Sequence, residues 1–230
     1  MPGRAELRLA VVIPAYQAAA TVGAVVARTL ATVPAAHVIV VDDGSTDGTA
    51  AAAQGFVVGH DQNLGKGAAL QDGIREAIAQ DAAIVVTLDA DGQHPPEEIP
   101  RLVAPIIAGR ADLVLGARAR ASAMPLPRRL TNWVSARLAT RIGGQGVSDA
   151  QTGFRAFTRA VAERVRPTEA RYDYETAFLL GALEAGFRVG SVPIPTIYNG
   201  ARSHFRSWAD TWRVARVFAR YTRRILAGAT

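Results

Sequence analysis

The 230-residue chain is 49% hydrophobic and 20% charged, which gives it enough apolar mass for one large globular domain or two small ones. The absence of Cys excludes disulfides, thiol nucleophiles and Cys-ligated metal clusters, and four scattered His disfavour a histidine metal site. The net charge of +6 favours an anionic partner, and no apolar run has the length expected of a membrane span or the form of a secretory signal.

The first half of the chain alternates short β-branched runs with Ala-rich amphipathic segments. Continuous apolar runs bounded by turn residues predict four buried strands, at Leu9–Ile13, Val38–Val41, Phe56–Val58 and Ile84–Leu88. Helices are predicted between them at about 18–31, 47–54, 65–80 and 95–108. This alternation is typical of an α/β fold with a mostly parallel sheet flanked by helices, where ligands bind beyond the carboxyl ends of the strands.

The second half is less regular and strongly basic. It predicts a strand at Leu113–Gly116, a short apolar piece at Phe154–Phe157, a helix near 174–185 and a pair of strands within 187–198. Residues 113–148 contain six Arg and no acid, and residues 202–230 contain seven Arg against Asp210 alone. These two segments suit phosphates, a nucleic acid or an anionic lipid surface, although a solvated arginine face explains either one alone equally well.

Asp89-Ala90-Asp91 directly follows the fourth predicted strand and precedes Gly92 and Gln93. Two carboxylates in this arrangement can direct oxygen ligands at Mg²⁺ or Mn²⁺, and a cation bound in this way usually also holds substrate phosphates. An isolated Asp-x-Asp pattern is more often a polar turn or a helix cap. The pattern therefore predicts a metal site only if other segments support it.

Three further segments follow neighbouring predicted strands: Val12–Tyr16, Val40–Thr49 and Asn63–Gly67. Tyr16 can contact a base, and Asp42 or Asp43 can accept hydrogen bonds from base N–H groups or ribose hydroxyls. The Gly65–Gly67 loop lets the backbone approach a phosphate at a helix N-terminus, and its Lys66 is the only Lys in the chain. Turn chemistry explains each segment alone, but four of them on one rim of a sheet predict a nucleotide site.

These segments, with Gly116–Arg118, Gln151–Phe157 and Tyr174–Glu175, resemble the family 2 glycosyltransferases of the GT-A fold. Within that family the likeness is to polyprenyl-phosphate sugar transferases of the dolichol-phosphate mannosyltransferase type. The resemblance covers about residues 8–200. It implies a GT-A catalytic domain at 7–200, with a nucleotide-sugar half at about 7–116 and an acceptor half at about 117–200, followed by a basic extension at 201–230.

The resemblance also implies an activity and a set of site residues. The activity is an inverting transfer of mannose or glucose from a GDP- or UDP-sugar to a polyprenyl phosphate, with Mg²⁺ or Mn²⁺ as cofactor. The implied metal and diphosphate site is Asp89, Asp91 and Gln93, with Asp91 at the centre of the cleft. The nucleotide-sugar candidates are Pro14, Ala15, Tyr16, Asp42, Asp43, Gly44, Lys66, Asp89 and Ala90. The acceptor-phosphate candidates are Arg118, Arg128, Arg129, Ser135 and Arg202.

The chemistry of the acceptor decides whether a general base is needed. A phosphate monoester has a second pKa of about 6, so a lipid phosphate is largely a dianion near neutrality and needs only cations to position it. The hydroxyl of a sugar or a protein would need a base, for which Asp149 and Glu175 are the candidate carboxylates. Pairing with Arg155, or orientation of the acceptor loop, explains these two carboxylates equally well.

Residues 205–226 predict a basic amphipathic helix. At about 100° per residue, Val214, Val217, Phe218, Tyr221 and Ile225 gather on one face, beside an arc of arginines flanked by Trp208 and Trp212. Arginine with interfacial aromatics favours an anionic membrane surface, which predicts a peripheral protein at the cytoplasmic face of the cell membrane. Docking of the apolar face on the catalytic domain, or a dimer contact, is the alternative.

Two other functions remain open at this point. The same donor site can serve transfer to a soluble or polysaccharide hydroxyl instead of a lipid phosphate. A nucleotide- or nucleic-acid-binding module without enzymatic activity is the more distant alternative. We expect no nucleic acid partner, because the arginines lack the interleaved aromatic side chains on which single-stranded bases stack. The sequence leaves the oligomeric state, the donor base and the lipid length undetermined.

Overall fold

The computed structural model describes residues 8–118, 135–141, 144–195, 197 and 207–228, and for residues 118, 207–211 and 224–228 it describes the backbone alone. The strands in these ranges are β1 (Leu9–Ala15), β2 (His37–Asp42), β3 (Phe56–Gly59), β4 (Ile84–Thr87), β5 (Leu113–Arg118), β6 (Arg155–Thr158) and β7 (Val189–Ile194). They form one sheet in the order β3-β2-β1-β4-β6-β5-β7. The predicted α/β class with a mostly parallel sheet is confirmed.

Helices cover both faces of this sheet. The helices are α1 (Val22–Thr32), α2 (Thr49–Ala52), α3 (Lys66–Ala79), α4 (Ile99–Ile107), α5 (135–141), α6 (Arg159–Arg164), α7 (Tyr174–Glu184) and α8 (Ser207–Gly228), with a 3₁₀ turn at Pro96–Glu98. Successive strand residues point to opposite faces, so Val12 packs in one core with α3, α7 and α8, and Val11 and Ile13 pack in the other with α1 and α4.

The four strands predicted in the first half, β1 to β4, all run parallel to one another. Strand β1 pairs in parallel with β2 and β4, and β2 pairs in parallel with β3. Their carboxyl ends therefore lie at one edge of the sheet, as the alternation of strands and helices predicts. This edge carries the candidate site.

Two elements of the second half differ from the prediction. The short apolar piece is β6, a central strand that runs antiparallel to both β4 and β5. The predicted strand pair within 187–198 is wrong, because the chain continues as the single strand β7 beside β5. Residues 189–194 contain no turn that would reverse the chain, and Pro193 is tolerated because β7 has a paired strand on only one side in the described sheet.

The predicted C-terminal helix is present as α8 and packs against α7. Its residues Val214, Val217, Phe218 and Tyr221 are buried in the core that α3 and α7 also line. The apolar face of α8 is therefore docked on the rest of the domain, as the alternative prediction states. None of the described helices combines the length and the apolar character that crossing a membrane requires.

Gly73 lets α3 lie close to the sheet. A Cβ added there would overlap Val12 Cγ1 and lie 2.9 Å from Val41 Cγ2. We expect Gly73→Ala to lower the free energy of unfolding by about 1–3 kcal/mol, even though Ala favours a helix over Gly. Urea denaturation tests this, with Gly55→Ala as the control, because its Cβ would meet only Ala53 O, at 3.9 Å. A Gly73→Ala protein as stable as the control would contradict this packing.

Candidate active site

The ends of β1, β2 and β4 bring three predicted segments to one rim. The amide of Asp43 donates to Ala15 O at 2.9 Å, and the amide of Leu88 donates to Val12 O at 3.0 Å. Pro14 and Ala15 are buried at the end of β1, whereas the Tyr16 side chain is 39% exposed. The rim thus presents an accessible ring beside the carboxylates that follow β2.

Asp43 holds the Asn63–Gly67 loop against β2. Its side chain is buried, and Oδ1 and Oδ2 accept from the amides of Leu64 and Gly65, each at 2.8 Å. His60 Nδ1 lies 2.8 Å from Asp43 Oδ1, and His60 Nε2 lies 2.9 Å from Asp72 Oδ2. These contacts give Asp43 a positioning role, and the predicted contact between Asp43 and a nucleotide stays a prediction.

The remainder of the Asp42–Thr49 segment fixes the turn after β1. The amide of Gln17 donates to Ser45 Oγ at 3.0 Å, and the amide of Ala18 donates to Thr49 Oγ1 at 2.8 Å. Asp42 is buried, and its Oδ1 accepts from the amide of Ser45 at 3.1 Å. Gly44 has a φ of +71°, and a Cβ there would overlap the backbone of residues 62–63. Much of this predicted nucleotide motif therefore organises its own loops.

Lys66 connects three elements of the rim. From the first turn of α3 its Nζ lies 2.7 Å from Asp89 Oδ1, beyond β4, and 2.7 Å from Glu175 Oε1, in the first turn of α7. Burial disfavours the ammonium, but the charges of Asp89 and Glu175 outweigh it and raise the pKa of Lys66 above its usual range. Lys66 is therefore a fixed positive charge, and we call Lys66, Asp89 and Glu175 the ion cluster.

The backbone of Gly153 lies directly against Asp89. A Cβ at Gly153 would be 2.7 Å from both carboxylate oxygens of Asp89. The Thr87 hydroxyl donates to Gly153 O at 2.7 Å, which ties this segment to the end of β4. A residue with a side chain at position 153 would therefore displace the Asp89 carboxylate.

Asp91 and Gln93 belong to the turn that follows Asp89. Asp91 Oδ1 accepts from the amide of Gln93 at 2.9 Å, and Ala90 between the two aspartates is buried. In the described part of the chain, no group of three or more His, Cys, Asp or Glu makes a complete metal site. The hard oxygen atoms of Asp89, Asp91 and Gln93 nevertheless fit a Mg²⁺ or Mn²⁺ ion that takes its other ligands from water and substrate phosphates.

Arg155 organises the segment before β6. The guanidinium is buried and donates to the carbonyls of Thr152 at 2.7 Å, Glu175 at 2.5 Å and Ala150 at 2.9 Å. Burial lowers the pKa of Arg155, although the charges of Glu175 and Asp149 oppose this effect. The Glu175 carboxylate pairs with Lys66 and not with Arg155, which was the predicted alternative. Its charge nevertheless lies near enough to Arg155 to affect the pKa of the guanidinium.

The acceptor candidates are brought together only in part. Asp149 and Ser135 are both buried and both contact Gln151, through Asp149 Oδ1 at 3.2 Å and Ser135 Oγ at 3.4 Å. Arg118 ends β5, but the structure does not describe its side chain. Three further candidates, Arg128, Arg129 and Arg202, lie entirely outside the described residues. The predicted phosphate-binding role of this set stays a prediction.

Two residues position loops of the site although they are not among the predicted site residues: His60, and Arg155, which the sequence suggested only as a partner of Asp149 and Glu175. His60 directly follows β3, and its position among acidic residues is the signal that could have indicated an ion pair. Arg155 stands alone in the apolar piece Phe154–Phe157, and a single charge in such a run indicates a buried, hydrogen-bonded group. Both residues hold loops that the motifs of the rim depend on.

The His60 contacts predict a pH-dependent stability. Burial opposes the charge of His60, but hydrogen bonds to Asp43 and Asp72 outweigh it and raise the pKa of His60. Arg75 pairs with the other oxygen of Asp72 and shares its charge. The raised pKa of His60 stabilises the fold fully at pH values below the pKa of His60 in the unfolded chain, which is about 6.5. This stabilisation is lost as the pH rises through the pKa of His60 in the folded protein.

Urea denaturation of the wild type and of His60→Gln tests this expectation. The stability advantage of the wild type should be largest near pH 6 and should shrink as the pH rises. The variant isolates the effect because both proteins share every other titrating group. A difference that stays constant up to pH 9 would contradict a charged His60 in the folded protein.

Comparison with known proteins identifies the family of this chain. Residues 10–166, more than half of the chain, match the family described as Glycosyl transferase family 2. The UDP-N-acetylglucosamine--dolichyl-phosphate N-acetylglucosaminyltransferase of Methanococcus voltae is 31% identical over 191 residues, which cover 71% of this chain and 75% of that protein. The polyprenol monophosphomannose synthase of Mycolicibacterium smegmatis is 31% identical over 207 residues, which cover 83% of this chain and 78% of that protein.

Solved structures show the same architecture. The glucosyl-3-phosphoglycerate synthase of Mycobacterium tuberculosis, crystallised in complex with uridine diphosphate, superposes with a TM-score of 0.74 at 26% identity. The match covers 94% of this chain and 80% of that chain. The structural neighbours are glycosyltransferases of the GT-A fold. The chain therefore belongs to glycosyl transferase family 2 and has the α/β domain of that fold.

Proposed function

We propose that this glycosyltransferase moves a hexose, with inversion, from a nucleotide sugar to a polyprenyl phosphate, using Mg²⁺ or Mn²⁺ and acting at an anionic membrane surface. The observation that carries the proposal is the ion cluster, in which Lys66 pairs with Glu175 and with Asp89, just beyond the end of β4. The cluster adjoins Asp91 and Gln93, whose oxygen atoms suit a hard cation. The proposal includes a nucleotide-sugar half at about 7–116 and an acceptor half at about 117–200, as the resemblance implies.

The donor is proposed from the rim and from two relatives. Tyr16 offers an exposed ring, and Asp42 lies at the end of the adjacent strand. One relative is named for a UDP-sugar, and the structural neighbour at 26% identity binds uridine diphosphate. A cation held by Asp89, Asp91 and Gln93 would stabilise the charge that develops on the leaving diphosphate. Lys66 keeps Asp89 in place for this role.

The acceptor is proposed from charge and from the ion pair that occupies one of the two candidate bases. Both curated relatives are named for polyisoprenoid phosphates or their products. A phosphate dianion needs cations rather than a base, and residues 113–148 supply six Arg without an acid. Glu175, one of the two candidate bases, is occupied by Lys66. This contact favours a phosphate over a hydroxyl acceptor.

The membrane contact is proposed from the outer face of α8. Trp212 is 64% exposed, and the Arg216 guanidinium lies 5.7 Å from the centre of its ring. The apolar face of α8 is buried in the protein, so contact with lipid falls to these exposed aromatic and basic groups. We infer a peripheral position at the cytoplasmic face of the cell membrane.

Transfer by the purified protein tests the proposal. GDP- and UDP-hexoses are supplied with Mn²⁺ or Mg²⁺ and a short polyprenyl phosphate, and the expected product is a glycosyl lipid. Parallel reactions with sugar and glycan hydroxyls test the alternative acceptor, and flotation with anionic vesicles tests the membrane contact. A folded protein that neither forms glycosyl lipid nor hydrolyses any donor would overturn the proposal.

A further inference from the structure

Residues Glu169–Tyr172 lie between α8 and the loop that carries Lys66, and we call them the bridging segment. The Glu169 side chain is only 5% exposed and its Oε1 pairs with Arg220 Nη2 on α8. Helix α8 is fixed nearby because Val217 and Tyr221 are buried in the core. One end of the bridging segment is therefore attached to the C-terminal helix.

The same segment contacts the first turn of α3 through its backbone. The amide of Ala68 donates to Ala170 O at 3.1 Å, and Gln71 Nε2 donates to Glu169 O at 3.0 Å. A Cβ at Gly65 would overlap Ala170 O, and a Cβ at Gly67 would lie 2.6 Å from Glu169 O. The glycines on both sides of Lys66 thus bring this loop into direct contact with the bridging segment.

The last residue of the segment reaches the ion cluster. The centre of the Tyr172 ring lies 6.0 Å from Lys66 Nζ, which in turn pairs with Asp89 and Glu175. A displacement of the bridging segment would therefore shift Lys66, and with it the position of Asp89. The contacts run without interruption from α8 to the metal and diphosphate motif.

We propose that Arg220 and Glu169 are positioning residues for the donor site, an inference that rests on the proposed function. Their ion pair fixes the bridging segment, the bridging segment fixes the Gly65–Gly67 loop, and the loop sets the place of Lys66. Removing the pair weakens binding of the nucleoside diphosphate, although neither residue belongs to the ion cluster or to the metal and diphosphate motif. Helix α8 then contributes to donor binding independently of any contact with lipid.

Arg220→Ala and Arg223→Ala form a matched pair of variants. Both remove one exposed arginine from α8, but Arg223 lies outside the ion pair with Glu169. With Mn²⁺ and no vesicles, Arg220→Ala should raise the Kd for UDP or GDP, and the donor KM, by roughly three- to thirtyfold, and Arg223→Ala by less than twofold. Arg220→Lys should recover part of the loss. Glu169→Gln should match Arg220→Ala, and the double variant should add little to either.

Hydrogen exchange in the free protein separates this inference from the proposed function. The Ala68 amide, which donates to Ala170 O, should exchange faster in Arg220→Ala than in the wild type or in Arg223→Ala. If the wild type binds no nucleoside diphosphate, the proposed function fails, and the exchange at Ala68 still decides whether the pair fixes the loop. Unchanged exchange, or equal effects of both variants, would overturn the inference, as would a lower Tm with an unchanged donor KM.

Discussion

Asp91→Asn is expected to lower kcat by at least about a hundredfold, because the variant would lose a carboxylate ligand of the proposed cation that would stabilise the leaving diphosphate. The substitution is conservative for the fold. Asn keeps an Oδ1 that accepts from the Gln93 amide, so the turn after β4 persists. Steady-state kinetics over a range of Mn²⁺ concentrations should show the loss in kcat together with a higher Mn²⁺ requirement.

The control for this change is Glu163→Gln, which removes a carboxylate from the exposed pair with Arg159 on α6. It should keep the wild-type kcat and the wild-type Mn²⁺ requirement, since exposed pairs contribute about 1 kcal/mol or less to stability. If the Asp91→Asn enzyme keeps more than a tenth of the wild-type kcat, Asp91 is not a ligand of the metal ion.

Lys66→Met is expected to lower kcat/KM by about a hundredfold and also to destabilise the fold. Without the ammonium, the carboxylates of Asp89 and Glu175 face each other across the space that Nζ occupied, 2.7 Å from each. Removing one partner from a buried ion pair costs about 3–5 kcal/mol, and the partial exposure of Asp89 places this case at the low end. Kinetics and urea denaturation measure the two effects separately.

The double variant Lys66→Met with Glu175→Gln separates charge repulsion from catalysis. It removes one carboxylate with the ammonium, so it should recover a large part of the lost stability. Its kcat/KM should stay low, because Asp89 is no longer held by a cation. If the double variant regains wild-type activity, Lys66 serves only to neutralise Glu175 and has no part in positioning Asp89.

The sequence predicts the strands of the first half of the chain well because their signals are local. Strands β1, β2 and β4 are continuous apolar runs, and each is followed at once by a polar segment, so the rim follows from their parallel order. The short strand β6 was harder to predict. It is stabilised by its neighbours β4 and β5, which come from distant parts of the chain, and not by a pattern of its own.

The partners within the site could not be predicted from spacing. Lys66, Asp89 and Glu175 belong to three separate elements, and only the packing of α3 and α7 on one face of the sheet brings them together. The same holds for Asp43, whose motif suggests a ligand contact although its oxygens hold the backbone of the next loop. Sequence patterns indicate which residues gather at the rim, and the tertiary contacts decide which of them position the others.

The most direct test of the account is a crystal structure with Mn²⁺ and either UDP or GDP, in which anomalous scattering locates the ion. We predict one Mn²⁺ bound by the Asp91 carboxylate and by the diphosphate, with Lys66 still between Asp89 and Glu175. A diphosphate bound away from this rim, or an ion that Asp91 does not contact, would contradict the site from which the proposed transfer is derived.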